Sequence, residues 1–269
     1  MNVLVIGGNR FMGLGLVWRL LCGGHRVTLL NRGNLTDPFG DRVERLRADR
    51  STDAFDRVLG RRMFDCAVDF AGFTADDARR AVRVLSGRVG HLIFVSTGQV
   101  YLVRAGCPQP SHEDDYDGPI MPRPASPADH EDWAYGVGKR GAEDVLAASR
   151  DLPTTRLRIP MVNGEHDHRR RLEAYVWRLL DGGPLVVPRS EAIARHVHSG
   201  AVVRAIASLI DPGRAVAELG FKHPPLDVYL DSILASLFAA WPAEPPPGYA
   251  QRSAEVAVIR RFAGATTRG

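Results

Sequence analysis

Residues 1–13 read MNVLVIGGNRFMG, an apolar run over Asn2–Ile6 that breaks on Gly7 and Gly8 and closes on Gly13. A strand that is apolar at nearly every position is buried on both faces, as in a parallel sheet; a half-solvated strand would alternate. The paired glycines then mark a tight turn, and Leu14–Leu21 continues with helical periodicity to Gly23 and Gly24. A strand-to-helix turn of this kind aims backbone N–H groups and the positive helix end at whatever fills it, which suits a diphosphate. Gly7 supplies the tight turn and Gly13 lets helix and sheet approach. Asn9, Arg10, Phe11 and Met12 lie between them, and Arg10 stands where a glycine commonly admits the pyrophosphate to the backbone.

The alternation continues along the chain. His25–Leu30, Val43–Ala48, Cys66–Phe70 and Leu92–Ser96 read as further strands, with Ala75–Leu85 helical between the last two. Strand and helix in turn, with short connections, imply an α/β fold built on a doubly wound parallel (Rossmann) sheet whose ligands sit beyond the carboxyl ends of its strands. The stretch 106–134 is rich in Pro, Asp and Glu and reads as a long loop over those ends. A helix is expected from Tyr135 to about Ser149, and TTRLRIPMV resumes as a strand. After Asn163, RRRLEAYVWRLLDGG and AVVRAIASLI read as amphipathic helices away from the main sheet, and Pro242–Gly248 as a stiff linker. The expected division is a cofactor-binding domain over 1–162 and a small substrate-binding lobe over 163–269 that partly returns to the core.

Composition narrows the classes. No apolar stretch in the 269 residues approaches the roughly 18 to 20 that a bilayer span needs. The three cysteines are far apart and no Cys or His pair has metal-ligand spacing, so neither a disulfide framework nor a metal is expected. With strand already at residue 2 there is no room for a signal segment, and the expectation is a cytoplasmic protein. The net charge of +4 is carried by arginines scattered among acids, without a block of like charges, so a membrane or nucleic-acid partner is not expected.

At the end of the second strand, where an acidic residue would bind the 2′-hydroxyl of NAD, the chain has Asn31 and Arg32. Neither repels a phosphate, and a guanidinium binds one through a planar fork, so NADP(H) is the expected cofactor, with Arg10 as a further contact. Of 35 basic residues only Lys139 and Lys222 are lysines, and Lys139 lies four residues after Tyr135. At that spacing on a helix the two side chains share a face. An ammonium near a phenol stabilises the phenolate, lowering a pKa that otherwise sits near about 10 and making the tyrosine a usable proton donor.

With these motifs in place the chain resembles the short-chain dehydrogenase/reductases, in their extended, epimerase/dehydratase-like branch; GGNRFMG is similar to an atypical subgroup of it. The resemblance covers residues 1 to about 210. It implies that Asp49 of RADR contacts adenine and that VDFAG, with Ala71 and Gly72, borders the adenosine ribose and diphosphate. It also implies that Thr97 of FVSTGQVY joins Tyr135 and Lys139 as the catalytic set, and that Pro160 of RIPMVNG adjoins the cofactor. Asn163 replaces the tyrosine usual in that last run.

The expected activity is hydride transfer between NADP(H) and a sugar-like or amino-sugar ketone or alcohol, as in a tailoring ketoreductase. Tyr135 would handle the proton, Thr97 orient the oxygen, and Lys139 tune Tyr135 and hold the nicotinamide ribose. Two alternatives stay open on the same fold: a nucleotide-sugar epimerase or dehydratase that retains its NAD(P), and a non-catalytic NADP- or RNA-binding protein. Arg169, Arg170, Arg171, Arg178 and Arg195 are candidates for a substrate diphosphate, or the charged face of a helix. The acidic residues between Glu113 and Asp132 would instead attract an amine, or simply face water. His112, His130, His196 and His198 read as surface histidines.

Overall fold

The computed structural model describes residues 1–186, 195–210 and 226–266. Six parallel strands form one sheet in the order β3-β2-β1-β4-β5-β6: β1 (Asn2–Ile6), β2 (Arg26–Asn31), β3 (Val43–Arg47), β4 (Phe64–Asp69), β5 (Val89–Thr97) and β6 (Thr154–Ile159). The order reverses at β1, whose neighbours are β2 and β4, so the two halves wind in opposite directions and leave a crevice at the carboxyl ends of β1 and β4. Val3, Leu4, Val5 and Ile6 are at most 1 % exposed, as an apolar strand at the centre of a covered sheet requires.

The crossovers are helical. Helix α1 (Met12–Cys22) follows β1, α2 (Asp53–Leu59) follows β3, and α3 (Ala75–Leu85) links β4 to β5. Helix α3 begins with a reciprocal cap: the Asp77 amide donates to Thr74 Oγ1 at 3.2 Å and the Thr74 amide donates to Asp77 Oδ2 at 3.0 Å. It buries Ala78, Ala81, Val84 and Leu85, which join Phe55, Phe64, Phe94 and Leu146 in the core on that side of the sheet. After β5 come a single turn, α4 (Gln99–Leu102), and the long α5 (Pro127–Ala148).

The start of α5 corrects the loop expected over 106–134, and the helix expected from Tyr135 begins eight residues earlier. Pro127 opens the helix behind Ser126, and Asp129, Glu131 and Asp132 lie exposed on its first turns. Proline is at home at the first helical position, and acidic residues there complement the positive helix end. These turns bury little, so they show no apolar periodicity.

The chain divides into two compact units. The first holds 1–161 and 200–222, and within it α7 (Ser199–Ile210) buries Ala201, Val202 and Ile206 and lies against α1, where a Cβ on Gly15 would stand 3.2 Å from Val203. The second holds 162–199 and 223–269: a two-stranded sheet of β7 (Met161–Asn163) and β8 (His196–His198), with α6 (Arg171–Leu180), α8 (Leu226–Ala239) and α9 (Arg252–Thr266). Pro160 ends β6, so the expected single strand TTRLRIPMV is two strands in different sheets.

Helix α5 carries glycines where it crosses its neighbours. A Cβ on Gly136 would stand 2.6 Å from Val103 and 2.9 Å from the Gln99 carbonyl, and one on Gly138 would stand 2.6 Å from the carbonyl oxygen of Phe73. Helix propensity alone would make Gly138→Ala stabilising by about 1 kcal/mol. The backbone contact reverses that sign, and the substitution is expected to destabilise by about 1–3 kcal/mol. Urea denaturation of the two proteins tests this, and a stabilised alanine variant would remove the close approach.

Candidate active site

Four loops meet the carboxyl edge of the sheet in the first unit. The turn after β1 is tight: Gly7 has φ +85°, donates its amide to the Leu30 carbonyl at 2.9 Å, and lies so close to the β4 side of the crevice that a Cβ would be 3.0 Å from that of Ala71. Gly13 faces Gly8, and a Cβ there would fall 2.7 Å from the Gly8 Cα. The helix therefore enters at a distance that only glycine permits. Phe11, just before α1, holds φ 46°, a region that aromatic side chains seldom occupy and that costs about 1–3 kcal/mol. Asn9 is half-buried, Arg10 exposed, and Met12 opens the helix.

At the end of β2, Asn31 Oδ1 accepts from the Gly33 amide at 2.9 Å and from Arg47 Nη1, while its Nδ2 is buried with no partner. Arg32 is exposed and reaches Asp49 at 4.0 Å. Asp49 accepts from the amide and hydroxyl of Ser51 at 2.9 and 2.6 Å, and these bonds hold its carboxyl below the usual range. A glycine cradle at a helix start and an orphaned donor at the neighbouring strand end fit a dinucleotide with its diphosphate in the turn and an acceptor at its ribose.

The loop after β4 is fixed by charge. Asp69, 1 % exposed, accepts from the Ala71 amide at 2.8 Å and is closed on Arg50 at 2.8 and 2.9 Å. Arg50 also reaches Asp77 at 3.2 Å and the Asp77 carbonyl at 3.1 Å. Gly72 packs edge-on to Phe94, where a Cβ would come within 2.7 Å of the ring.

Thr97 ends β5, with Oγ1 accepting from the Gln99 amide at 3.2 Å, which leaves the hydroxyl proton to donate elsewhere. Pro160 follows β6 beside it: the Gly98 amide donates to the Ile159 carbonyl at 2.7 Å. On α5, Tyr135 is 39 % exposed with its ring 6.3 Å from that of Phe73. Lys139 is 2 % exposed and its ammonium donates to the Val95 carbonyl at 2.7 Å, two residues before Thr97. It lies 4.6 Å from the Phe94 ring centroid and 5.0 Å from that of Phe73. Burial pushes it down to about 8, partly offset by the charge of Asp69.

The structure thus gathers the residues expected at the site onto one edge of one sheet. It adds Arg47, Arg50 and Phe73, which no motif announced, and gives Asp69 of VDFAG a role as the anchor of its loop. A sequence signal existed in YGVGKRG: glycines spaced through a helix mark a close approach, here to the Phe73 backbone. Under the site, Arg158 clamps the fully buried Glu143 through Nε and Nη2 at 2.9 and 2.7 Å, and Glu143 also takes the Ser96 hydroxyl. Arg158 further donates to the Tyr101 hydroxyl at 2.7 Å.

The acidic stretch is partly tied down. Tyr116 donates to Asp144 at 2.7 Å and stacks on Arg140 and Arg158, with ring-to-guanidinium distances of 4.0 and 4.2 Å. In the second unit, Arg170 pairs with Glu173, Arg171 with Asp167 at 3.0 Å and Arg178 with Glu255 at 2.9 Å. Three of the five arginines that were candidates for a substrate diphosphate or for a charged helix face are therefore closed on carboxylates. Asn163 meets His196 at 2.7 Å and His198 meets Glu165 at 3.2 Å.

Comparisons with known proteins place the fold. No protein-family profile matches the chain. It is similar to the Bordetella bronchiseptica enzyme WbmH in complex with NAD+ (19 % identity, TM-score 0.61, 78 % of this chain and 72 % of that one). It is similar also to the Thermotoga maritima UDP-glucose 4-epimerase with UDP-glucose (20 %, TM-score 0.60, 78 % and 74 %). These likenesses show the fold, an α/β fold with a doubly wound parallel sheet. In sequence, the Arabidopsis thaliana chloroplast stem-loop binding protein of 41 kDa b is 28 % identical over 204 residues, 70 % of this chain. The chain spans about half, 49 %, of that relative's length. Among the described residues no helix is long and apolar enough to cross a membrane.

Because Lys139 releases its proton more readily folded than unfolded, the unfolded chain binds more protons between about pH 8 and 10.5, and stability rises with pH across that window. The slope from this one group is at most about 1.4 kcal/mol per pH unit. Lys139→Met is expected to lack that contribution, and denaturant unfolding of both proteins at pH 7.5 and 10 measures the difference. Parallel pH profiles would mean that Lys139 titrates normally.

Proposed function

We propose that the protein is an NADP(H)-dependent oxidoreductase that interconverts a sugar-like ketone and its alcohol. The observation that carries this reading is the seat of Lys139: a buried cation tied to the strand that ends in Thr97, one helical turn beyond the exposed Tyr135. Asn9–Gly13 with Gly7 would hold the diphosphate, Asn31, Arg32 and Asp49 the adenosine end, and Ala71, Gly72 and Pro160 the middle of the dinucleotide. When bound, the nicotinamide supplies or accepts the hydride.

The rest is work for the chain's own side chains. Tyr135 gives its phenolic proton to the carbonyl oxygen in reduction and takes it back in oxidation. Thr97, its oxygen engaged by the Gln99 amide, donates a hydrogen bond that fixes that oxygen. Lys139, one helical turn along α5 from Tyr135, supplies positive charge that favours the phenolate as the proton departs, and its low-dielectric seat strengthens that effect. Fixed dipoles and charge at the edge of the sheet require little rearrangement during the reaction. The strained backbone at Phe11 also fits a loop shaped to a ligand.

A second reading, a nucleotide-sugar epimerase or dehydratase that keeps its cofactor, draws on the structural neighbours, which were solved with UDP-glucose and with NAD+. The closure of Arg170, Arg171 and Arg178 on carboxylates weighs against a substrate diphosphate in their reach. The stem-loop-binding name of the Arabidopsis relative supports an RNA-binding reading; Thr97, Tyr135 and Lys139 together support catalysis.

The test is a screen of sugar-like and amino-sugar ketones for NADPH oxidation, repeated with Tyr135→Phe. The variant is expected to bind NADPH as the parent does while turnover falls by about 10²–10⁴. Full turnover in the variant overturns the assignment. Tightly held NAD released on denaturing fresh protein would favour the epimerase reading, and retention of an RNA hairpin without dinucleotide binding the third.

A further inference from the structure

We propose that Arg47, with Asn31 as its holder, is the principal ligand of the 2′-phosphate of NADP(H), and that Arg32 is secondary. This rests on the nicotinamide-dinucleotide reading above and adds a selectivity residue that lies outside the glycine turn and the β2 end.

The register of β2 on β3 sets Asn31 opposite Arg47 at the carboxyl edge. Asn31 Oδ1 serves two donors, the Gly33 amide and Arg47 Nη1, so the amide's orientation is fixed and Nδ2 is its remaining polar group. That Nδ2 is buried and unpartnered. The Arg47 stem runs along Gly33, where a Cβ would stand 3.1 Å from Arg47 Cδ and 3.3 Å from Nε; with φ +81° at the same residue, glycine meets both demands. The guanidinium is thus tethered at one corner while its side chain stays 40 % exposed.

The nearby acids leave that charge available. Asp37 is closed on Arg45 at 2.6 and 3.1 Å and stands 4.0 Å from Arg47, beyond hydrogen-bond reach. Arg32 stands at the same 4.0 Å from its acid, Asp49, and differs in exposure, at 66 % against 40 %. A long side chain without a tether loses more rotamer freedom on binding than one already held.

The chemistry of the set follows from its donors. Asn31 Nδ2, Arg47 and Arg32 all donate. A free 2′-hydroxyl must also place its own proton, and Asn31 Oδ1 is already shared between two donors. A phosphate brings only acceptor oxygens at neutral pH, and the planar fork of Arg47 matches two of them. The donors at the strand end therefore favour the phosphorylated ribose.

The experiment is calorimetric binding of NADPH, NADH, 2′,5′-ADP and 5′-AMP to the full chain and to Arg47→Met, which keeps the stem on Gly33 and removes the charge. Losing charge-assisted hydrogen bonds is expected to weaken NADPH and 2′,5′-ADP by about 10- to 100-fold. NADH and 5′-AMP should change by less than about threefold, and Arg32→Met should weaken NADPH less than Arg47→Met does. Unchanged NADPH affinity in Arg47→Met, with NADPH preferred by the parent, overturns the role of Arg47 and leaves the oxidoreductase reading intact. A parent that binds NADH as tightly as NADPH overturns the phosphate site, and one that binds neither overturns the reading beneath it. Should Arg47→Met not fold, Asn31→Asp serves: its added negative charge is expected to lower the NADPH to NADH affinity ratio at least about tenfold, and an unchanged ratio counts against the proposal.

Discussion

The buried ammonium of Lys139 sets the terms for the rest of the site. Taking such a charge out of water costs several kcal/mol, and it is tolerated only where the surroundings return most of that. Here the return comes from the Val95 carbonyl, the faces of Phe94 and Phe73, and the carboxylate of Asp69 beneath the loop. These four partners come from three elements: Phe94 and Val95 from β5, Phe73 from the loop after β4, and Asp69 from the end of β4. A helix bearing this lysine can therefore dock in one place only, and the glycines at 136 and 138 let it come close enough to do so.

The second fastening lies one turn further along α5. Glu143, fully buried, is answered by Ser96 on β5 and Arg158 on β6, so the helix is pinned to two adjacent strands at the level where Thr97 ends. Removing Arg158 would strand the Glu143 charge in the core, at a cost of about 3–5 kcal/mol. The pin carries no substrate, but it fixes the distance between the strand that holds Thr97 and the helix that holds Tyr135. Arg140 and Arg158 then stack on Tyr116 and draw part of the acidic stretch onto the same helix. Those carboxylates are thereby divided between helix-start charges and residues that fasten the chain.

Much of this was legible in the sequence, and the reasons differ by element. The central strands were readable because burial on both faces leaves an apolar run, and the turn after β1 because glycine there meets a steric demand. Tyr135 and Lys139 stood out because a chain that uses arginine nearly everywhere has a lysine at that spacing. The first turns of α5 were hidden because an exposed helix start is polar throughout and resembles a loop. Glu143, Arg158, Arg50 and Asp77 were hidden for another reason: their meaning lies in partners that are distant along the chain, and nothing local in AEDVL or RADRS names those partners. Arg47 sits in VERLR, where it reads as the solvent-facing residue of an edge strand; only the cross-strand register shows what it faces.

The chain leaves the sheet after Met161 and comes back to it with α7, whose Val203 lies on Gly15 of α1. The first unit is thus discontinuous, with its opening turn and its returning helix encoded about 190 codons apart. A crossover between two homologous genes anywhere in between would pair one parent's α1 with the other's α7, so recombinants of this scaffold should survive best where both parents keep a small residue opposite a β-branched one at that contact.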